Sequence, residues 1–246
     1  MATVPLAWRT ANSWGPAGNE ARAQGTLKPL FYPSRAAEWR AFARHTLRDG
    51  DVLFRYGYPT GWLDRLTMQV VTGVSKGRFT HDSIAHWVGD TLYLYDVEPE
   101  PEAVRHIPFE FWMLDTAGDS LVVKRLRPPY RHCIPQALAY CEAAYRAQVP
   151  FDEALAGDDE HLYCSELVEK AFRSAGLALS DPVPIRDLPN YALYRPLSPL
   201  VESFTDVRVD TPIFALGNED YGTFGSPYLE TVYDGGKQPA SGGEAR

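Results

Sequence analysis

DEHLYCSELVEKAFRSAG, residues 159–176, places a cysteine directly before an amphipathic helix. Cys164 opens the helical pattern, and Gly176 is the kind of residue that follows a helix C-terminus. Between them, apolar side chains recur with the period of one helix face, at Leu167, Val168, Ala171, Phe172 and Ala175. The stretch therefore predicts a helix that begins near Cys164, packs against a core and stops at Gly176.

Cys164 itself has two interpretations. Cysteine is among the residue types most often buried, so Cys164 is either a small apolar residue that extends the stripe or a reactive thiol. In the first turn of a helix a thiol faces unpaired backbone N–H groups, which lower its pKa and can also bind an oxyanion. The polar segment AGDDEHLY before it favours a sulfur that opens onto a cleft. Cys164 is therefore our candidate nucleophile.

The two other cysteines are expected to be structural. Cys141 shares a helical stripe with Leu138 and Tyr145, which is typical of a core position, and Cys133 has no charge partner nearby other than His132. The cysteines and histidines lack the paired short spacings of a zinc site. We expect neither a metal nor a cofactor.

Composition restricts the class of protein. The chain has 246 residues, 45% of them apolar, and a net charge of −8 with a pI near 5.3, which argues against nucleic-acid binding. Three cysteines argue against a disulfide framework. The N-terminus has no signal-peptide pattern, and no apolar run of about eighteen residues predicts stable membrane insertion. We expect a protein made in the cytoplasm; a cell-wall substrate would require export without a cleavable signal peptide.

Periodicity divides the chain into four parts. Residues 1–33 are predicted to form an irregular arm and residues 34–203 the main domain. Residues 204–233 are predicted to be an extension packed on that domain, and residues 234–246 have the composition of a disordered tail. Because helices are followed by strands and then by helices again, we expect an α+β fold with an antiparallel sheet packed against helices.

End signals delimit the elements of the main domain. Helices are predicted from an N-cap at Ser34 to about Leu47, over residues 60–73 with Gly73 as the end, and from Pro135 to about Gln148. Strands are predicted at residues 52–54, 81–88, 91–98 and 120–126. Residues 177–203 are predicted to be a Pro-rich loop with a helix-like piece at most.

A cysteine nucleophile needs a histidine to take its proton and a third group to orient that histidine. All six histidines precede Cys164, so the base must come first and the nucleophile last along the chain. His45 ends a charged helix and His161 lies in a polar loop, so both are expected to be structural or solvated. No pattern assigns a role to His106.

The predicted β-hairpin narrows the choice of base. With residues 89–90 as a two-residue type II′ loop, His81 lies opposite Glu98 and on the same face as Asp96. Alternation sends His86 to the other face. His81 thus has a carboxylate within cross-strand reach, although an isolated surface pair of this kind would contribute only a few tenths of a kcal/mol.

Six sequence blocks occur in an order that resembles a known family. The blocks are GDVLF at residues 50–54, FTHDSIAHWVGD at 79–90, LYLYDVEPE at 92–100, VKRLR at 123–127, VPFDEAL at 149–155 and LYCSELVEKAFRSAGLAL at 162–179. In this order, over residues 49–195, they resemble the permuted NlpC-type, papain-like cysteine hydrolases, specifically the YiiX-like branch. YCSELV with its helix is the most specific block.

The resemblance implies that residues 34–203 form a permuted papain-like catalytic domain. It implies a histidine on the first core strand, an acid on the next and a cysteine at a helix N-terminus, which correspond to His81, Asp96 and Cys164. Tyr163 matches the aromatic residue before the nucleophile. This chain has a longer spacing from the histidine to the turn, and Asp where Glu is common, so His86 and Glu98 stay open as alternative base and orienting acid.

The expected function is that of a cysteine hydrolase without a cofactor. Cys164 would attack an amide or peptide carbonyl and form an acyl-enzyme, with its backbone N–H and the Tyr163 hydroxyl at the oxyanion. The expected substrate is a cell-wall peptide or a similar amide. An acyl-lipid substrate, for a hydrolase or an acyltransferase, is the alternative enzyme, and a non-catalytic binding module is the alternative of another class. The sequence identifies no protein partner.

Overall fold

The computed structural model describes residues 14–29, 32–57, 62–99, 103–116, 120–158, 160–204 and 206–237. Its helices are α1 (Pro16–Ala23), α2 (Ala36–Thr46), α3 (Trp62–Ser75), α4 (Phe109–Trp112), α5 (Ile134–Ala147), α6 (Cys164–Ser174), α7 (Tyr191–Tyr194) and α8 (Ser198–Phe204). Its strands are β1 (Val52–Arg55), β2 (His81–Val88), β3 (Thr91–Val97), β4 (Val104–Pro108), β5 (Val122–Leu126), β6 (Val183–Pro184), β7 (Pro212–Ile213) and β8 (Leu229–Asp234).

Six of the strands form one antiparallel sheet in the order β4-β3-β2-β1-β5-β8. The hairpin between β2 and β3 has the predicted register, because Val88 pairs with Thr91 and Ile84 with Tyr95. Gly89 has a φ of 57°, as the first residue of a type II′ turn requires. The predicted α+β class with an antiparallel sheet is confirmed.

Apolar side chains cover both faces of the sheet. Val52 and Phe54 of β1 point to one face, where they join a core cluster that contains residues of α5 and α6. Leu53, between them, belongs to a second cluster with residues of α2 and α4 on the other face. This alternation is what a strand with period 2 produces when both faces are covered. Helix α6 is thus held against the centre of the sheet.

The prediction that residues 1–33 are irregular is wrong for part of that segment, which contains helix α1. Pro16 occupies the first turn, where its missing N–H has no cost. The helix is held by tertiary contacts: the Asn19 amide donates to the carbonyl oxygens of Trp14 and His106 and to the Tyr145 hydroxyl. No local periodicity encodes such contacts. Residues 1–13 lie outside the described residues.

The predicted ends of α2 and α3 need correction. Helix α2 begins at Ala36 rather than after a Ser34 cap, because the Ala36 N–H already donates to the carbonyl of Pro33. Helix α3 continues past Gly73 to Ser75. Gly73 instead allows the Tyr194 side chain to pack closely against the helix, since a Cβ there would lie 1.9 Å from the Tyr194 hydroxyl oxygen. The predicted ends of α5 and α6 are confirmed, and Gly176 has a φ of 82°.

The region after α6 is more regular than predicted. Residues 177–203 contain β6, α7 and most of α8 rather than one helix-like piece. Strand β8, from the segment predicted to be an extension, pairs with β5 and completes the main sheet. The predicted disordered tail is wrong for its first four residues, because Asp234 lies in β8 and Gly235–Lys237 form a 3-10 helix; residues 238–246 lie outside the described residues. None of the helices in the described ranges is both long and apolar enough to cross a bilayer.

Candidate active site

Four adjacent strands bring four charged side chains together. Asp96 of β3 pairs with Arg105 of β4, and His81 of β2 pairs with Arg55 of β1. The β2–β3 hairpin then connects the two pairs, so the four residues lie side by side across the sheet. All four are buried. Such a group is stable inside a protein only if its charges compensate one another.

Asp96 is at the centre of this group and has no solvent exposure. One carboxylate oxygen contacts the His81 Nε2 atom and accepts a hydrogen bond of 3.0 Å from the Ser83 hydroxyl. The other oxygen accepts two bonds from the Arg105 guanidinium, of 2.9 and 2.6 Å. Burial by itself would raise the pKa of Asp96, but His81 and Arg105 hold it below its ordinary value. Asp96 is therefore an ionised partner for the imidazole.

Glu98 provides a second carboxylate. Its Oε1 atom lies 3.5 Å from the His81 Nε2 atom, and its Oε2 atom lies 2.9 Å from Arg105. Arg55 also forms an ion pair with Glu98 and donates a hydrogen bond to the Trp112 carbonyl. Burial opposes ionisation, but Arg105 and Arg55 lower the pKa of Glu98 below its ordinary value. Asp96 is thus the direct partner of the ring, and Glu98 lies just behind it.

Cys164 is the first residue of α6 and is partly exposed. Its thiol interacts with the His81 ring and with the Asp82 carboxyl, the next side chain along β2. The other two cysteines are buried: Cys141 has no exposure, and burial raises the pKa of its thiol. Cys133 lies against His132 and the Ala175 carbonyl. Of the three thiols, Cys164 is the one that interacts electrostatically with a histidine held by a carboxylate.

The electrostatics of His81 favour its protonated form. Burial by itself lowers the pKa of the imidazole, but the charge and hydrogen bond of Asp96 outweigh burial and raise that pKa well above its ordinary value, with a further contribution from Cys164. Cys164 thus lies at a helix N-terminus and interacts with an imidazole that is held in its protonated form.

Tyr163 lies directly before the candidate nucleophile and is buried. Its hydroxyl oxygen accepts a hydrogen bond of 2.6 Å from the backbone N–H of Phe214. Burial, with the nearby Glu166 charge, raises the pKa of the phenol. The structure therefore places this hydroxyl against the segment that follows β7, and its expected contribution to an oxyanion hole stays a prediction.

His86 lies in a different environment from His81. Its ring stacks on Tyr95, and its Nδ1 atom lies 3.3 Å from the Nε2 atom of His106. His106, to which the sequence assigned no role, is stacked against Tyr93 and Tyr95 with ring centroids 4.4 Å apart in each case. Burial, with the His86 charge, lowers the pKa of His106 to about 3. These rings form a packed aromatic cluster in which His106 is neutral.

Two further predictions concern histidines outside the cluster. His45 lies in the last turn of α2, as expected. His161 is partly exposed and lies 3.4 Å from Asp158, so it is a solvated loop residue next to α6.

Three charged residues of the site had no signal in the sequence. Arg55 and Arg105 are recognisable only once β1 and β4 are placed in register beside the hairpin, and AVRHIP was not identified as a strand. Asp82 follows His81 directly, but only the packing of α6 against the sheet brings it into electrostatic interaction with the thiol. Such residues are found by cross-strand register rather than by motif.

His81, Asp96 and Glu98 also have the spacing of a metal site, because one ligand atom from each lies within 4.8 Å of the others. The two carboxylates are, however, already paired with Arg55 and Arg105. A divalent cation would have to displace these guanidinium groups or share the carboxylates with them. The donor set therefore does not fit a resident divalent metal.

Comparisons with known proteins agree with this architecture. A family model described as "Permuted papain-like amidase enzyme, YaeF/YiiX, C92 family" matches residues 46–184, which is more than half of the chain. A crystal structure of the metalloprotein yiiX from Escherichia coli O157:H7 is similar in fold, with a TM-score of 0.59 and 16% identity, over 76% of this chain and 97% of that chain. No curated protein sequence matches significantly. The resemblance stated from the sequence blocks is confirmed.

Proposed function

Because this chain belongs to the permuted papain-like amidase family, YaeF/YiiX, we propose that it is a cysteine amidase with Cys164 as nucleophile, His81 as base and Asp96 as the orienting acid. The observation that carries the proposal is the electrostatic interaction of the Cys164 thiol with an imidazole whose Nε2 atom is held by a buried carboxylate. Thiol catalysis requires a nucleophile next to a base, and an acidic group that orients this base.

In this proposal the two ring nitrogens of His81 have different roles. Asp96 occupies Nε2, so Nδ1 exchanges the proton with the sulfur and with the leaving amine. Asp96 also fixes the tautomer and stabilises the imidazolium that forms. Arg105 keeps Asp96 ionised and in place, and is therefore a positioning residue.

The reaction then follows in two stages. The thiolate attacks the carbonyl carbon, and the resulting oxyanion faces the backbone N–H groups in the first turn of α6. When the C–N bond breaks, the imidazolium gives its proton to the leaving amine and an acyl-enzyme remains on Cys164. His81 next takes a proton from water, which attacks the acyl carbon and releases the acid and the thiolate.

The substrate class follows from the family, whose members are amidases. We propose a peptide or a related amide, such as a cell-wall peptide, and treat phospholipid as the competing substrate. The similar yiiX protein is a metalloprotein. In this chain the arginines neutralise the acidic residues that a metal would need, so no step is assigned to a metal.

The proposal is tested by incubating the protein with peptidoglycan fragments, with simple peptide amides and with phospholipid, and identifying products by mass spectrometry. Cys164→Ser and His81→Gln should each lower amide turnover by about 10²–10⁴-fold. Cys141→Ala, which removes a buried thiol outside the site, should keep turnover within about threefold of the wild type. A covalent acyl adduct on Cys164 supports the mechanism.

Several results would count against the proposal. Full amide turnover in Cys164→Ser would exclude this cysteine as nucleophile. Turnover that a chelator abolishes and Zn²⁺ restores would assign the chemistry to a metal instead. Turnover of phospholipid alone would establish the acyl-lipid alternative. If no substrate is turned over and iodoacetamide labels Cys164 no faster than Cys141, the chain is a binding module.

A further inference from the structure

Glu98 is held close to the His81 ring without being its direct partner. Its Oε1 atom lies 3.5 Å from the His81 Nε2 atom, whereas an N–H···O hydrogen bond is usually about 3.0 Å long. Its Oε2 atom lies 2.9 Å from the Arg105 Nη2 atom, and the same nitrogen lies 2.6 Å from the Asp96 Oδ2 atom. One guanidinium nitrogen therefore connects the two acids.

Arg55 fixes the other oxygen of Glu98. This arginine is 1% exposed and forms an ion pair with the Glu98 Oε1 atom. It also donates to the Trp112 carbonyl, and its guanidinium carbon lies 4.1 Å from the centroid of the Trp112 ring. Trp112 is fully buried, and its ring centroid lies 6.2 Å from that of His81. Each carboxylate oxygen of Glu98 is thus held by a separate buried arginine, and Oε1 is held next to the imidazole.

Several charged or titratable groups surround His81. They come from every neighbouring element and comprise Arg55 of β1, Asp82 of β2, Asp96 and Glu98 of β3, Arg105 of β4 and Cys164 of α6. Of the acids, the Asp82 carboxylate makes no hydrogen bond within the described residues, whereas Asp96 and Glu98 form ion pairs with the Nε2 atom. Glu98 is therefore the acid that stays at Nε2 when Asp96 is removed.

We propose that Glu98 is a second positioning residue for His81, which shares with Asp96 the task of keeping a proton on Nε2 and is held in reach by Arg55. This inference rests on the proposed thiol mechanism. A movement of about 0.5 Å would bring Oε1 into hydrogen-bond range of Nε2. The ring can then turn between the sulfur and the leaving amine while Nε2 keeps a carboxylate acceptor.

The first experiment observes the ring nitrogens of His81 by NMR of the full chain labelled with ¹⁵N-histidine, with His81→Gln to assign the signals. In Asp96→Ala, Arg105 keeps Glu98 as a partner, and the neutral ring should stay protonated on Nε2. In Asp96→Ala/Glu98→Gln this preference should be lost. Glu110→Gln in the same background is the matched control and should leave the preference unchanged, because Glu110 is a buried acid that pairs with an arginine of α2.

Turnover of peptidoglycan fragments provides the functional measurement. Glu98→Gln should lower kcat by about threefold when Asp96 is present and by about 30-fold in Asp96→Ala, with KM unchanged. Such a dependence on the background is expected of two groups that serve the same atom. Arg55→Met, which releases Glu98, should reproduce the effect of Glu98→Gln. Glu110→Gln should change kcat by less than about twofold in either background.

Asp96→Asn provides a conservative variant with a distinct expectation. Arg105 donates two hydrogen bonds to the Asp96 Oδ2 atom, so it should hold the amide oxygen of the asparagine and direct the amide N–H groups at Nε2. A donor at this place favours the ring protonated on Nδ1 and excludes Glu98. Turnover should therefore be slower in Asp96→Asn than in Asp96→Ala. The reverse order would contradict the role of Glu98.

The possible failures are distinguishable. Equal effects of Glu98→Gln in both backgrounds, with Nε2 still protonated in the double variant, would overturn the role of Glu98 and leave the thiol mechanism intact. A wild type that turns over no amide, although its tautomer depends on Glu98 as expected, would overturn the proposed function and retain the pairing of Glu98 with His81.

A single substitution decides the matter if Asp96→Ala does not fold. Glu98→Gln removes a negative charge 3.5 Å from Nε2, so the midpoint of the His81 titration, followed by NMR, should move down by about one pH unit. Glu110→Gln should leave that midpoint in place. A midpoint that is the same in wild type and Glu98→Gln would overturn the role of Glu98.

Discussion

At the scale of single residues, the site depends on how each buried charge is compensated. Asp96 has no exposure, yet it is ionised because His81 and Arg105 contact its two oxygens. Asp82, on the neighbouring strand, is equally buried but lacks such cations. Two acids of similar depth therefore differ in their pKa, because one has cationic partners and the other does not.

Removing Arg105 should be strongly destabilising. Arg105→Leu leaves Asp96 buried with one cationic contact fewer, and we expect a loss of about 3–5 kcal/mol in the free energy of unfolding, measured by urea denaturation. Arg35→Ala is the matched control, because its ion pair with Glu38 is exposed on both sides and should contribute less than about 1 kcal/mol. Equal losses in the two variants would contradict the compensation described for Asp96.

The pH dependence of the free energy of unfolding tests the raised pKa of Asp82. Its pKa is about 7 in the folded protein and 3.8 in an unfolded chain, so between these values the folded state holds a proton that the unfolded state releases. The contribution of Asp82 to the free energy of unfolding therefore falls as pH rises from about 4 to 7, and it changes little above pH 7. Since one pKa unit corresponds to about 1.4 kcal/mol, the stability of Asp82→Asn relative to wild type should rise by up to about 4 kcal/mol over this window. A pH-independent difference would contradict the raised pKa.

At the scale of elements, helix α6 joins the core to the site. Its stripe of Leu167, Val168, Ala171 and Phe172 is fully packed on the sheet, with exposures of 0–1%. This packing sets the position of Cys164 relative to β2. Gly176 caps the C-terminal end of α6. There the Leu177 N–H donates to the Phe172 carbonyl, and the Gly176 N–H donates to the Arg173 carbonyl.

Gly176→Ala should destabilise the protein by about 1 kcal/mol. No atom within 4 Å would clash with the added Cβ, so the cost comes from the φ of 82°, which only glycine adopts without strain. Gly236→Ala is the control, because that glycine lacks a positive φ and an added Cβ would make an ordinary contact of 3.6 Å with Asp234. Thermal unfolding of both variants distinguishes them, and no difference would argue against strain at Gly176.

At the scale of the whole molecule, the C-terminal segment belongs to the main sheet. Strand β8 pairs along β5 from Leu126 to Val122, and Arg78 forms two hydrogen bonds of 2.8 Å with Asp234 at its end. The segment after β7 also reaches the site, since Phe214 donates to the Tyr163 hydroxyl. The sheet and the environment of α6 are therefore incomplete without residues beyond 203.

Truncation should separate the two parts of this C-terminal region. A chain that ends at residue 226 lacks β8, exposes the edge of β5 and should lose several kcal/mol of stability, with rapid cleavage in limited proteolysis. A chain that ends at residue 237 retains β8 and should unfold like the full chain within about 0.5 kcal/mol. If both truncations behave like the full chain, β8 is dispensable for the fold.

The sequence alone determined those features that depend on neighbours along the chain. Helix periodicity and Gly176 identified α6, and the Gly89 turn fixed the hairpin register that puts His81 beside Asp96. Both signals are local, because a helix face and a two-residue turn are set by residues a few positions apart. The order of the sequence blocks also identified the family to which the chain belongs.

Only the tertiary structure decided how these elements meet. The ring contact favours Asp96 over Glu98, and the packing of α6 on β2 brings the thiol into electrostatic interaction with His81 and Asp82. Arg105 and Arg55 come from strands whose register the sequence pattern did not reveal. The physical reason is that burial, charge compensation and cross-strand pairing act between residues distant in sequence, so they exist only once the sheet is assembled.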